Sequence, residues 1–204
     1  MNKDTVQSVV YMVDDDKAMR DSVCMLLDSV GIACKLFSSA NDFLTSCDAT
    51  HEGCLLLDVR MPGMSGMELL ELLKPKGILL PVILITGHGD VPMAVRALKL
   101  GAFDFIQKPF NGQELLDRVN AAFKQDRENR RHLQEIEERR AHLAVLTPRE
   151  VEVVDLIVAG NSSKAIAMKL GISPKTVDIH RASILKKLNV HSVAEIVQLR
   201  LAIE

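Results

Sequence analysis

Residues 54–66 read CLLLDVRMPGMSG, four apolar side chains running into an acid, Asp58, and then into Pro62, Gly63 and Gly66. An apolar run without alternation marks a strand covered on both faces, which a parallel sheet between two layers of helices demands. The first position free of that constraint is the strand's carboxyl end, where open parallel sheets bind their ligands. The stretch therefore predicts a fold and, at Asp58, the place of its chemistry. The Pro and Gly that follow read as a tight turn clearing space around the acid.

Four further short runs resemble this one, giving five strands: SVVYMV (8–13), ACKLFS (33–38), CLLLDV (54–59), PVILIT (81–86) and AFDFIQ (102–107). Between and after them lie amphipathic patterns over 17–30, 40–47, 67–73, 91–100 and 112–123. Strand and helix alternating five times predict a (βα)5 doubly wound parallel sheet. Asp16 is placed to cap the first helix and Gly31 to end it; Asp90 with Pro92 opens the fourth and Gly101 closes it.

From Lys124 to Ala144 the chain is rich in Arg and Glu, with Leu133, Ile136 and Leu143 as the sizeable apolar positions, so a solvated linker helix is expected. LTPREVEVVDLIVAG (146–160) then opens a second domain, because Thr147 and Glu150 form a capping box with Pro148 at the first helical position. Three more helical patterns follow and no strand. The expected division is 1–124 for the α/β domain, 125–145 for the linker helix and 146–204 for an all-α domain of four helices.

The 204 residues suit two small domains, since domains commonly run about 100–150 residues. A composition 48% hydrophobic and 25% charged is that of a globular chain, not a disordered one. The net charge of −2 is uneven: residues 1–124 hold 12 Lys and Arg against 16 Asp and Glu, and residues 147–204 hold 8 against 6. The modestly basic tail fits a polyanionic partner. Cys24, Cys34, Cys47 and Cys54 lack C-x-x-C spacing and read as small buried hydrophobes. Asp4 and Asp14–Asp16 stand where a signal peptide would be apolar, and the longest apolar run, 77–85, is broken by Pro81 and falls short of the about 20 residues that span a bilayer. A cytoplasmic protein with no membrane partner is expected.

The loops after the strands bring Asp14 and Asp15, Asp58, Thr86, and Lys108 followed by Pro109 to one rim. Clustered carboxylates hold either a proton or a cation, and oxygen donors with an open site favour Mg²⁺. A carboxylate nucleophile beside a metal, a lysine and a hydroxyl is the inventory for forming an aspartyl phosphate. Other chemistries fit less well. GHGDVP (87–92) puts Pro92 at the third glycine of a dinucleotide fingerprint, and Arg60 stands where an aspartate-based phosphatase needs its second acid. The six histidines show no ligand spacing and read as surface or packing residues.

With DVRMPGMSG and GAFDFIQKPF around those residues, positions 8–124 resemble the receiver domain of bacterial two-component response regulators, of flavodoxin-like (CheY-like) fold. The resemblance implies that Asp58 accepts a phosphoryl group from a phosphohistidine on a sensor histidine kinase. It implies that Asp15, Asp58 and the Arg60 carbonyl bind Mg²⁺, with Asp14 acting through water. Lys108 would pair with the phosphate, Thr86 would move to hydrogen-bond it, Phe105 would be the aromatic that turns inward, and Lys108–Pro109 would be cis.

SSKAIAMKLGISPKTVDIHR (162–181) has the layout of a helix-turn-helix: small Ala167 at the crossing, Gly171 for the turn, Ser173 and Pro174 opening the second helix. One face of that helix carries Lys175, Asp178, Ile179 and Ala182, expected at base edges. Thr176, Arg181, Lys186 and Lys187 are expected at phosphates. With LTPRE and SPKTVDIHRASILKKL in place, 146–202 is similar to the LuxR-type output domain, and the whole chain resembles the FixJ/NarL family, in particular its FixJ branch. This implies a transcription factor, not an enzyme, that dimerises on phosphorylation, binds double-stranded promoter DNA and works with RNA polymerase. The competing expectation is a phosphate relay or protein-binding adaptor whose tail does not bind DNA.

Overall fold

The computed structural model describes residues 8–87 and 91–202. They fall into two compact units, 1–129 and 130–204. In the first, β1 (Val9–Val13), β2 (Cys34–Phe37), β3 (Gly53–Asp58), β4 (Val82–Thr86) and β5 (Asp104–Gln107) form one sheet in the order β2-β1-β3-β4-β5. Every pairing is parallel. The helices are α1 (Lys17–Ser29), α2 (Ala40–Ser46), α3 (Gly66–Leu73), α4 (Val91–Lys99) and α5 (Gly112–Leu143).

Alternation along the strands explains the layering. Tyr11, Val13, Leu55, Leu57, Val82 and Leu84 point to one face and pack with Phe43, Leu69, Leu73 and Ala97 of α2, α3 and α4. Val10, Met12, Cys54, Leu56, Ile83 and Ile85 point to the other and pack with Val23 and Leu27 of α1 and Leu115, Val119 and Phe123 of α5. Each fully buried Leu of β3 contributes roughly 1.5–3 kcal/mol, so the apolar run that opens the site also anchors the sheet. The four thiols are free; Cys47 and Cys54 are buried as expected, whereas Cys24 and Cys34 are only half-buried, and burial pushes Cys47 up to about 11. Asp16 caps α1 by accepting from the Ala18 and Met19 amides, and Gly31 ends it with φ +73°. Asp90, expected at the cap of α4, lies outside the described residues.

Helix α5 departs from the expectation of a helix ending at Phe123 with a separate linker after it. It runs unbroken from Gly112 to Leu143, because residues 113–143 contain neither Gly nor Pro. Ion pairs at i,i+4, such as Lys124–Glu128 and Arg131–Glu135, sustain its solvated half. The change of composition near residue 124 marks a change of burial, not an end of helix. Asp126 is the last buried residue of its inner stripe, and its Oδ2 accepts from the Gly53 amide at 2.9 Å. Gly53 is obligatory there: φ is +128°, and a Cβ would lie 1.9 Å from the Val9 carbonyl oxygen.

The second unit holds α6 (Pro148–Val158), α7 (Ser163–Leu170), α8 (Pro174–Lys187) and α9 (Val193–Leu201). Val153, Val154, Ile157, Ile166, Val177, Ile184, Leu188 and Ile196 close its core. The capping box of Thr147 and Glu150 is formed, Gly171 turns α7 into α8 with φ +65°, and Ser173 caps α8. Among the described residues no helix is long and apolar enough to cross a membrane.

Candidate functional site

The carboxyl ends of β1, β3 and β5 meet at one point. Asp14 follows β1, Asp58 ends β3 and Lys108 follows β5; both acids are buried. Lys108 Nζ donates to Asp14 Oδ2 at 2.9 Å and to Asp58 Oδ1 at 2.6 Å. The remaining oxygens accept backbone amides, Asp14 Oδ1 that of Asp16 and Asp58 Oδ2 that of Arg60, each at 2.8 Å. Arg20, which the sequence reading did not single out, donates to the Asp14 carbonyl. Burial pushes the Asp58 carboxyl above its ordinary range, against the pull of Lys108. Burial pulls the Lys108 ammonium down, but its bonds to Asp58 and Asp14 outweigh this and raise it.

Thr86 ends β4, buried, and its carbonyl accepts from the Lys108 amide at 2.7 Å. Phe105 is half-buried and pairs in register with Leu84, so it shares a sheet face with Thr86. Lys108–Pro109 is cis. Gly66 closes the turn after Asp58; a Cβ there would lie 2.2 Å from the Asp58 carbonyl oxygen, so the turn read as clearing space needs a glycine for its own backbone. Asp15 is exposed at the rim and does not join the three-group contact. No cluster of three or more His, Cys, Asp or Glu able to hold a metal occurs among the described residues, and Lys108 pairs with both Asp14 and Asp58. The donors are all oxygens, with Asp14 and Asp58 on one ammonium and Asp15 beside them at the rim, so the chemistry of the set fits a hard divalent cation.

In the second unit Lys175, Asp178, Ile179, Ala182 and Lys186 are exposed, and their spacing places them on one face of α8. Ile179 is 61% exposed, an apolar side chain amid polar ones. Thr176 is half-buried, its hydroxyl 2.8 Å from that of Ser173. Arg181 donates to Ser163. Lys187 departs from its expected place at a phosphate. Its ammonium turns inward to Glu150 Oε2 at 2.7 Å, where the same buried carboxylate also accepts from Ser183 and Thr147. Burial opposes the charge on Glu150, but the bonds from Lys187, Ser183 and Thr147 hold its carboxyl down at about 2.

An acid–lysine contact at the carboxyl ends of a parallel sheet and a helix-turn-helix in one chain invite comparison with known proteins. Residues 10–120 match the response regulator receiver domain, and residues 144–200 match the bacterial regulatory proteins of the luxR family. The transcriptional regulatory protein FixJ of Bradyrhizobium diazoefficiens is 41% identical over 96% of this chain and 95% of its own. The chain is a response regulator of the FixJ/NarL family. The transcriptional regulatory protein TdiR of Thauera aromatica is 44% identical over 93% of the regulator and 83% of its own length. The solved structure of the response regulator StyR superposes with a TM-score of 0.78 at 41% identity, over 96% of the regulator and 99% of that chain. The regulator is thus a transcriptional response regulator, and receiver domains of this kind generally bind Mg²⁺ at the phosphorylation site.

The geometry makes Lys108 the group on which the regulator's acid pair depends. Lys108→Ala leaves two buried carboxylates facing each other without a cation, which is expected to destabilise the receiver by about 2–3 kcal/mol. This is below the ~3–5 kcal/mol of fully buried pairs, because the ammonium keeps partial solvent access. Urea denaturation of the full chain measures it, and an unchanged midpoint would contradict the pairing.

Proposed function

We propose that a sensor histidine kinase transfers a phosphoryl group to Asp58, and that the phosphorylated regulator dimerises and binds double-stranded promoter DNA with higher affinity. An ionised Asp58 oxygen attacks the phosphorus of the kinase phosphohistidine. The P–O bond forms as the P–N bond breaks, and the imidazole keeps the electron pair and takes up a proton. Asp15, Asp58 and the Arg60 carbonyl, with Asp14 behind them, would hold Mg²⁺, which supplies charge neutralisation for the transferred group. Lys108 would turn its donors from Asp58 to a phosphoryl oxygen, and the Thr86 hydroxyl would follow. Phe105, on the same sheet face, would move inward with it. A phosphate biases an equilibrium only through contacts that differ between the two states, and Thr86 stands where such a contact forms.

What carries the reading is the contact of Lys108 with Asp58 at the end of a buried parallel strand, in a chain that also presents an exposed recognition helix. Exposed Val95 and Leu98 on α4, which packs beside β5, would supply apolar surface for the second copy. Two output domains on a two-fold site gain affinity through effective concentration, and RNA polymerase would be recruited beside them.

A salt titration of nonspecific DNA binding tests the DNA-reading half. The expected log–log slope is about −0.9 for every phosphate neutralised. A relay or adaptor that does not bind DNA shows no salt-dependent binding, and that result would overturn the proposal.

A further inference from the structure

Ser163 joins two side chains of α8. Arg181 Nη1 donates to Ser163 Oγ at 2.9 Å, and Ser163 Oγ donates to Asp178 Oδ1 at 3.1 Å. Both directions are forced, because a guanidinium only donates and an ionised carboxylate only accepts, so the one hydroxyl proton points at Asp178. Helix capping makes no claim on this hydroxyl: Ser162 is the cap of α7, accepting from the Ala165 amide. The relay therefore ties the first residue of α7 to the exposed face of α8. Asp178 Oδ2 accepts no hydrogen bond among the described residues.

A carboxylate on a surface that meets phosphates is repelled by every DNA sequence, unless a base edge offers it a proton. In the major groove cytosine presents only the N4 amino donor. Guanine presents two acceptors, thymine an acceptor and a methyl group, and adenine sets an acceptor beside its donor. A fixed carboxylate thus discriminates in favour of cytosine and against the others. Resting on the DNA-binding function proposed above, we infer that Asp178 selects a cytosine at one position of each half-site, with Ser163 as the positioning residue that aims it and Arg181 anchoring Ser163.

The test is selection of bound duplexes from a randomised pool by the full chain treated with a small-molecule phosphodonor, followed by affinities for single-base changes in the selected site. The wild type is expected to prefer cytosine at one position by about 5- to 10-fold. Asp178→Ala should lose that preference and no other. Ser163→Ala should weaken it about two- to threefold with the salt slope unchanged, and Ser163→Thr should restore it. The double variant Ser163→Ala/Asp178→Ala should match Asp178→Ala, because the serine acts through the acid. A cytosine preference that survives Asp178→Ala overturns this inference and leaves DNA binding standing; a wild-type preference in Ser163→Ala removes the positioning role. A wild type that selects no sequence overturns both this inference and the function on which it rests.

Discussion

Asp58→Asn is expected to take up no phosphoryl group from acetyl phosphate while remaining folded. Asp58 ends a fully buried strand, and its carboxylate is bonded to Lys108. An amide keeps the shape but not the nucleophilic oxygen pair. Exposed Asp15 offers no substitute, because it lacks the Lys108 contact that would neutralise an incoming phosphoryl group. Phosphate incorporation followed by mass spectrometry checks this, and a full equivalent of phosphate on the variant would place the acceptor elsewhere. The same variant reports on linkage. Because the folded protein holds the Asp58 carboxyl above 3.8, it binds more protons than the unfolded chain just above that pH. The stability Asp58 contributes is therefore present below 3.8 and lost as pH rises through its folded value. Relative to Asp58→Asn, the wild type should be more stable at pH 4 than at pH 7 in urea denaturation.

Glu150→Ala is expected to unfold most of the output unit and abolish DNA binding. Glu150 is 3% exposed, and its carboxylate receives Lys187, Ser183 and both donors of Thr147. Removing it leaves an ammonium and a hydroxyl without their buried acceptor and breaks the capping box of α6. Together these are expected to destabilise by about 3–5 kcal/mol. A unit of this size draws only about 3–5 kcal/mol from its core, so little remains. Loss of the second-unit transition in thermal melting of the full chain measures it. Acid should act in the same direction. With the folded carboxyl held at about 2 against an ordinary 4.5, its contribution is present above pH 4.5 and is lost as pH falls toward 2. A variant that melts and binds DNA like the wild type would show the Glu150 cluster to be dispensable.

The parts of this molecule legible in the sequence are those that local pattern determines. The buried run Cys54–Leu57, the acids after the strands and Lys108 after the fifth follow from strand period and from where parallel sheets place their loops. The caps at Asp16, Thr147 and Ser173 are read within four residues of chain. The continuity of α5 was legible too, in the absence of Gly and Pro from 113 to 143, but the change in charge near Lys124 obscured it. Illegible were the partners of charged residues far apart in sequence. A helical pattern tells that Lys187 is basic and near the end of α8, yet not that Glu150, 37 residues earlier, waits beneath it. Asp126 gave a fainter sign, an acid continuing the stripe of Leu115, Val119 and Ala122, whose bond to Gly53 spans 73 residues. Nor does the pattern show that Ser163 joins Asp178, expected at a base edge, to Arg181, expected at a phosphate.

On the proposed function, phosphate on Asp58 changes the hold of the second unit on DNA. Binding of the full chain to its selected site, titrated with and without acetyl phosphate at one fixed salt concentration, tests it most directly. Affinity is expected to be about 5- to 150-fold higher with the phosphodonor, the range of an ordinary allosteric coupling, and unchanged for Asp58→Asn. Equal wild-type affinities under the two conditions, or a rise of the same size in Asp58→Asn, would contradict it.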